Sequence, residues 1–220
     1  MHEFAQFGGR QAIPAATFDT LCNVATRSLR PTTSQLIILL AIFLSAAVVE
    51  LSMGRVLISK SNHIRLWAST NTSELSQQIA DAYSFSHILH GVLFYALLRL
   101  TFRHRLTFAT CLIIAVAIES SWEIIENTDF VIDRYRRATA SLDYRGDTVL
   151  NSMSDISFAV LGFFLAARLP VWATVALFLT IELGSLILIR DNLTLNVLML
   201  LHPIPAIKRW QMGLFSIPFA

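Results

Sequence analysis

Residues 118–130 read IESSWEIIENTDF, and residues 143–158 read DYRGDTVLNSMSDISF. Each stretch joins an apolar run to a polar segment. The first carries three glutamates spaced i, i+4 and i+7: Glu119, Glu123 and Glu126. The second carries polar residues spaced i, i+4 and i+8: Asp147, Asn151 and Asp155. These spacings keep each set near one face of a helix. Because a charge at membrane depth is costly, we expect both faces to turn toward one polar site inside a helix bundle.

The composition of the chain identifies the class of protein. Of 220 residues, 55% are hydrophobic and 15% are charged, and the apolar residues occur in long runs. This is too apolar for an ordinary soluble domain, so we predict an all-α, polytopic transmembrane helix bundle. The two cysteines suggest no disulfide framework. A net charge of +2 is too small to indicate nucleic acid as a partner, and membrane lipid is the expected surrounding.

The apolar runs predict five full spans and a short sixth segment. The spans are residues 35–53, 83–100, 106–126, 148–168 and 171–189, and the sixth segment is 193–207. A full crossing takes about 20 residues, so the last segment is either a thin span or an interfacial one. In the loop 54–82 we predict a surface helix from Asn71 to Tyr83, with Asn71 as the N-cap and Glu74 three residues on. The predicted domains are a cytoplasmic tail at 1–34, a membrane domain at 35–207 and a C-terminal tail at 208–220.

The predicted location is a bacterial inner membrane with the N-terminus in the cytoplasm. If the sixth segment crosses, nine basic residues lie on the N-terminal side and eight on the other. The positive-inside rule then favours a cytoplasmic N-terminus, supported by the short TFRHR turn and by Arg27 and Arg30 before the first span. The glutamate-bearing end of the bundle would face outward.

Polar residues of four spans fall at one depth under this topology. Glu119 lies about 10 Å from the outer end of its predicted helix, at 1.5 Å per residue. His87 and His90 lie one turn apart at similar depth, and we expect all of them to line one pocket. The predicted catalytic residues are Glu119, Glu123, Asp147, Asn151 and Asp155. Those predicted to bind substrate are Arg145, Arg190 and Asp191. Those predicted to bind a divalent metal ion are His87, His90 and Glu123, because carboxylates and imidazoles suit Mg²⁺, Mn²⁺ or Zn²⁺.

The segment SHILHGVLFYALL, the acid-rich third span and the Arg-Gly-Asp-x3-Asn motif resemble the VanZ-like membrane proteins. The matching positions are His87 or His90 with Tyr95, Glu119 or Glu123, and Arg145, Asp147 and Asn151. The whole chain more closely resembles an alphaproteobacterial inner-membrane family of unknown function with motifs like SWEIIENT, YRGDT and IRDN. The VanZ-like resemblance implies a connection with the cell envelope and with lipid-linked substrates.

Three classes of function fit these observations. The first is an enzyme that acts on a lipid-linked or phosphorylated envelope substrate, with a metal ion that activates water or stabilises phosphate charge. The second is a proton-coupled transporter, which predicts broken helices near the membrane midplane. The third is a structural membrane component in which arginines such as Arg145 or Arg190 neutralise the acids. The spacing of the acids and histidines leaves all three open.

Overall fold

The computed structural model describes residues 31–70, 72–102 and 105–213. This part of the chain contains eight helices and no strand, which confirms the all-α prediction. The helices are α1 (Thr33–Ser52), α2 (Ser84–Phe102), α3 (Phe108–Glu126), α4 (Asp129–Ala138), α5 (Val149–Arg168), α6 (Val171–Ile189), α7 (Leu193–Leu201) and α8 (Pro205–Gln211). Most of the predicted tail 1–34, and residues 214–220, lie outside the described residues. Helix α8 runs across the predicted domain boundary at 207.

Five of these helices are long and apolar enough to cross a membrane: α1, α2, α3, α5 and α6. Many of their large apolar side chains are exposed on the isolated chain, among them Leu188 at 83% and Val171 at 81%. Such exposure is costly in water and normal against lipid tails. In α6 only Glu182 is buried, so this helix lies at the periphery of the bundle. The chain is therefore a membrane protein.

Helices α2 and α5 form the tightest pair in the bundle. A Cβ atom at Gly91 would overlap the backbone carbonyl of Ala159, and one at Gly162 would overlap that of Ile88. The two glycines thus let the helix backbones approach each other directly, as small residues do at helix contacts in membranes. This close approach brings the histidines of α2 beside the acids of α5.

The loop between α1 and α2 packs onto the bundle, and the surface helix predicted at 71–83 is wrong. Residues 72–83 form turns, with Ser76 in the left-handed region at φ 58°. Besides the bonds of its own turns, the segment bonds to the preceding part of the loop: Ala68 N–H donates to Ala80 O, and Ile79 N–H donates to Arg65 O. A capping pattern describes only local preference, and these tertiary bonds outweigh it.

The same loop completes the start of α5. The first N–H groups of a helix have no partner within the helix. Here Thr148 N–H donates to Ser76 O, Val149 N–H to Val56 O, and Leu150 N–H to Leu57 O. The next group, Asn151 N–H, donates to the hydroxyl of Thr148. Asp147 precedes the helix, so it is not part of the helical face predicted from its spacing, although it lies at the same end.

Helix α4 lies between the third and fourth predicted spans, where no helix was predicted. Thr128 caps its start, Asp129 lies in its first turn, and Arg136 and Arg137 lie in its last turn. These are ordinary helix start and stop signals. Its buried side chains include Val131, Ile132 and Tyr135, which pack near the mouth of the bundle.

The sixth segment stays at one end of the bundle. Helix α7 has nine residues, about 13 Å at 1.5 Å each, which is too short to cross. Arg134 of α4 donates to Leu200 O at the end of α7, and Lys208 of α8 donates to Arg137 O at the end of α4. Helices α4, α7 and α8 therefore form one cap over one end of the five spans, here called the site end.

This arrangement changes the count of basic residues that supported the predicted orientation. Because α8 lies at the site end, Lys208 and Arg209 belong there. Counted by position in the sequence alone, ten of the 17 Lys and Arg residues belong to the site end and seven to the other, and four of these seven lie outside the described residues. The positive-inside rule applied to this count predicts a cytoplasmic site end, so the orientation of the N-terminus stays a prediction.

Candidate functional site

The centre of the candidate site is a contact between two histidines of α2 and a glutamate of α3. His87 Nδ1 lies 2.7 Å from Glu119 Oε1, and His90 Nδ1 lies 3.1 Å from both carboxylate oxygens of Glu119. The two imidazole rings lie edge to face with centroids 5.1 Å apart. Glu119 is fully buried and His87 is 7% exposed. The i, i+3 spacing of the histidines places both rings toward the same carboxylate.

Two further carboxylates surround His87. Glu123 Oε1 lies 3.2 Å from His87 Nδ1, and Asp155 Oδ2 of α5 lies 3.8 Å from His87 Nε2. The single N–H at His87 Nδ1 can donate a hydrogen bond to Glu119 or to Glu123, but not to both at once. Both oxygens of Glu123, and Oδ1 of Asp155, are buried without a hydrogen-bond partner. Buried carboxylate oxygens without a partner are costly when the group is charged.

The neighbours of these buried acids are imidazoles. His87 lies within 4 Å of Glu119, Glu123 and Asp155, and His90 lies within 4 Å of Glu119. Arg55, Arg136 and Arg137 instead form ion pairs with Asp129 and Asp133 of α4.

Two sets of side chains could hold a metal ion by the spacing of their ligand atoms. In each set these atoms lie within 4.8 Å of one another: His87, His90 and Glu119, and His87, Glu123 and Glu126. Around a tetrahedral zinc ion, ligand atoms about 2.0–2.1 Å from the metal lie roughly 3.3 Å apart. The separations of 3.1 Å between His90 and Glu119 and of 3.2 Å between His87 and Glu123 are close to that value, whereas the 2.7 Å between His87 and Glu119 is a hydrogen-bond distance.

A cavity of about 60 Å³ opens beside these residues. His87, His90, Glu126, Asp147, Asp155 and Tyr144 line it, together with apolar and aromatic side chains. It has room for a few water molecules or a hydrated ion. A larger substrate therefore has to present one small polar group to it.

Asp147 forms the wall of the cavity nearest the membrane surface. Its Oδ1 accepts a hydrogen bond from the hydroxyl of Tyr144 at 2.9 Å, and its backbone N–H donates to Asn127 Oδ1 at 2.7 Å. Burial raises the pKa of Asp147 from 3.8 to about 7, against the opposing effect of the Tyr144 bond. The side chain can therefore exchange a proton near neutral pH, as a general acid or base requires.

Asn151 has a different place from the one we predicted. Its side chain is buried, and Nδ2 donates to Gln78 O at 2.9 Å. It anchors the loop that covers the start of α5 and does not line the cavity. Its contribution to the site is to position that loop.

The three residues predicted to bind substrate lie away from the histidines. Arg145 is exposed, on the outer side of the turn that leads to Asp147. Arg190 is also exposed and donates to Trp210 O. Asp191 is buried, accepts bonds from Tyr83 and Gln211, and has its pKa raised by burial to about 6. Asp191 thus ties α8 to the wall of the cavity.

The structure adds residues to the site end that the sequence did not single out. Asp81 is 2% exposed, and its carboxylate accepts from the N–H groups of Ser76 and Tyr83. Glu50, in the last turn of α1, is fully buried with both oxygens lacking a hydrogen bond. Glu50 could have been found from the sequence, because it is an acid within an apolar run. Asp81 could not, because no other acid lies three or four residues from it. Glu182 of α6 accepts a hydrogen bond from Leu193 N–H and caps α7.

Comparison with known sequences places the chain in a family. A family model described as "Protein of unknown function (DUF2585)" matches residues 50–213, a range that includes every predicted site residue. A UPF0314 protein of Paracoccus denitrificans is 54% identical over 77% of this chain and 88% of its own. UPF0314 proteins of Rhizobium etli and Sphingopyxis alaskensis are each 49% identical, over 80% and 76% of this chain and 90% and 89% of their own. No solved structure matches.

Proposed function

The chain belongs to the DUF2585 family of the UPF0314 relatives in alphaproteobacteria, and from this premise we propose that it is a metal-dependent membrane enzyme acting on a phosphorylated lipid. The observation that supports this proposal is the pair of orphaned Glu123 oxygens beside His87 and Glu119. A buried cluster with more carboxylates than cations calls for a divalent ion, which oxygen and imidazole ligands bind well.

In the proposed site His87, His90, Glu119 and Glu123 would hold the ion. A divalent ion bound there would polarise a phosphate oxygen and lower the pKa of water. Water adds to the phosphorus, the ester P–O bond breaks, and the leaving alcohol takes up a proton. Asp147, poised near neutral pH, is the group we assign to that proton transfer.

The substrate that we propose is the headgroup of a lipid in the leaflet at the site end. The cavity is small and lined by both polar and apolar side chains, while the spans around it face lipid. A headgroup can therefore enter while its chains remain in the bilayer. Lipid-linked precursors of the cell envelope are substrates of this chemistry.

Neither alternative class has a specific observation in its favour. The five spans are continuous helices in the described residues, whereas a transporter of the broken-helix type needs interrupted spans. If the protein were a structural component in which Arg145 or Arg190 neutralises the buried acids, a guanidinium group would lie beside those acids. Both side chains are exposed instead.

Metal analysis of the purified protein tests the proposal. We expect about one equivalent of a divalent metal in the wild type and in Asp133→Asn, which removes an exposed acid of α4. Glu123→Gln and His87→Asn should lose the metal while retaining the thermal unfolding midpoint of the chelator-treated wild type. The matched histidine control is His63→Gln, because His63 is exposed and lies outside the site.

Release of inorganic phosphate from short-chain phosphatidic acid and farnesyl phosphate measures activity. We expect the release to require metal and to disappear in Glu123→Gln. Wild-type protein that functions normally in chelator would end the metal proposal.

A further inference from the structure

A second polar groove lies at the site end, next to the cavity of histidines and acids. It encloses about 280 Å³ and is lined by three basic side chains: Arg55, Lys60 and Arg145. Arg55 and Lys60 follow directly after the end of α1, and Arg145 comes shortly before the start of α5. The ends of spanning helices lie at the polar interface, so the groove is at the level of lipid phosphates.

Two of the three basic side chains of this groove remain available to a ligand. Lys60 and Arg145 are exposed, and within the described residues their side chains form no hydrogen bond or ion pair. Arg55 lies 3.6 Å from Asp129, whose side chain is exposed, and stays at the edge of the groove. The groove also contains two carboxylates, Glu74 and Asp147, which accept hydrogen bonds from the hydroxyls of Ser59 and Tyr144 and form no ion pair with Lys60 or Arg145.

Arg55 is held in place by the turn that carries Arg145. Its Nη1 atom donates to Arg145 O at 2.9 Å, and its side chain crosses directly over Gly146. Gly146 has φ 81°, and a Cβ atom there would overlap the Arg55 guanidinium. Glycine at this position allows both the left-handed backbone conformation and the close approach of the Arg55 guanidinium.

The Arg-Gly-Asp turn joins the groove to the cavity. Arg145 lines the groove, and Asp147 lines both the groove and the cavity. A phosphate group among the three cations would thus lie one side chain away from the proposed metal ligands. Arginine suits this role because its planar guanidinium binds phosphate through two parallel hydrogen bonds.

We propose that Arg55, Lys60 and Arg145 form a binding site for the phosphate group of a lipid headgroup. The inference rests on the proposed function for its place in a reaction, since it assigns the phosphate-binding part of that site. The binding itself depends only on the groove. In this site Arg145 binds the phosphate group together with Arg55 and Lys60, and not with Arg190.

Binding of lysophosphatidic acid to the full-length protein in neutral detergent tests the inference. Lysophosphatidylcholine is the headgroup control, and inorganic phosphate distinguishes a free anion from a lipid. We expect Arg145→Gln and Lys60→Gln each to raise the Kd for lysophosphatidic acid about tenfold, as loss of a charged hydrogen bond does. Arg137→Gln removes a charge at the same membrane end but outside the groove, and should change the Kd less than about twofold.

The outcomes separate this inference from the proposed reaction. Arg145→Gln should keep the metal content and unfolding midpoint of the wild type. If the wild type holds no metal but still needs Arg145 and Lys60 for lysophosphatidic acid, the groove stands and the reaction fails. If inorganic phosphate binds as tightly and with the same dependence on both residues, the groove stands as a site for the free anion. Wild-type affinity in both variants would overturn the groove, whatever the metal content.

Discussion

Replacing Gly162 by alanine should push apart the two helices that carry the site. The added Cβ would overlap the carbonyl of Ile88, and the reciprocal change at Gly91 would overlap that of Ala159. These neighbours are backbone atoms of a helix, so they have no rotamer by which to move aside. The helices have to separate along their contact, and His87 on α2 then moves away from Asp155 on α5.

The size of the effect follows from two opposing contributions. Overpacking costs about 1–3 kcal/mol, and overlap with backbone belongs at the upper end of that range. Alanine in a helix interior regains up to about 1 kcal/mol over glycine. We therefore expect Gly162→Ala to lower the free energy of unfolding by about 2 kcal/mol, and Gly91→Ala to do the same.

Equilibrium unfolding in mixed micelles with increasing sodium dodecyl sulfate measures this change. Gly184→Ala on α6 is the matched control, because a Cβ atom there meets nothing within 4 Å. It should be neutral or stabilising. The double variant Gly91→Ala/Gly162→Ala should lose less than the sum of the two single changes, since one separation of the helices relieves both overlaps. Equal stability of Gly162→Ala and Gly184→Ala would refute the close contact between α2 and α5.

Three further predictions concern topology, pH and the loop. Reporters fused after Ala220 and within 139–146 should lie on the same side of the membrane, and an N-terminal reporter should lie on the opposite side. The count of basic residues predicts that the shared side is the cytoplasm. If the first two reporters lie on different sides, the segment 193–207 crosses the membrane after all. Burial raises the pKa of Asp191 from 3.8 to about 6, so the folded state binds the proton more tightly and stability falls as pH rises between these values. Asp191→Asn should reduce the change of the unfolding free energy with pH, measured from pH 4 to 6. If this pH dependence stays the same, other groups cause it. Asn151→Ala should lower the free energy of unfolding by about 1–3 kcal/mol, because Gln78 O loses its buried hydrogen-bond donor. It should also raise the rate of amide hydrogen exchange in residues 75–81. Fast exchange of these residues in the wild type would contradict the role of Asn151 in holding the loop.

The sequence predicted the helical elements well where apolar runs are long. The five spans begin and end within about two residues of their predicted limits, since burial in lipid requires a continuous apolar helix of nearly constant length. Helix α4 was missed although Thr128 and Arg137 mark its ends. Its charged residues face solvent, and the apolar stripe is only ten residues long, too short for periodicity to stand out.

The candidate site was predictable in part. Glu119 and Glu123 share a helical face and both lie beside His87, although neither lines the cavity. That the predicted residues form one functional pocket stays a prediction. The roles of Asn151 and Arg190 were not predictable, because their partners Gln78 and Trp210 lie far along the chain and follow no repeat. The assignments of catalytic and metal-binding residues stay predictions, and so does the VanZ-like resemblance.

Local chemistry alone determined the membrane class, the number of full spans and the faces that carry the acids. Those properties depend on residues one to four positions apart, which a helix brings together wherever it forms. Tertiary structure decided which helices touch, that 193–211 folds back over the site end, and that Asp147 reaches the cavity as well as the groove that Arg145 lines. Each of these depends on contacts between distant segments, such as Arg55 with Arg145 and Lys208 with Arg137. Hydrogen bonds of this kind form only after the spans have packed, and no periodic pattern in the chain encodes them.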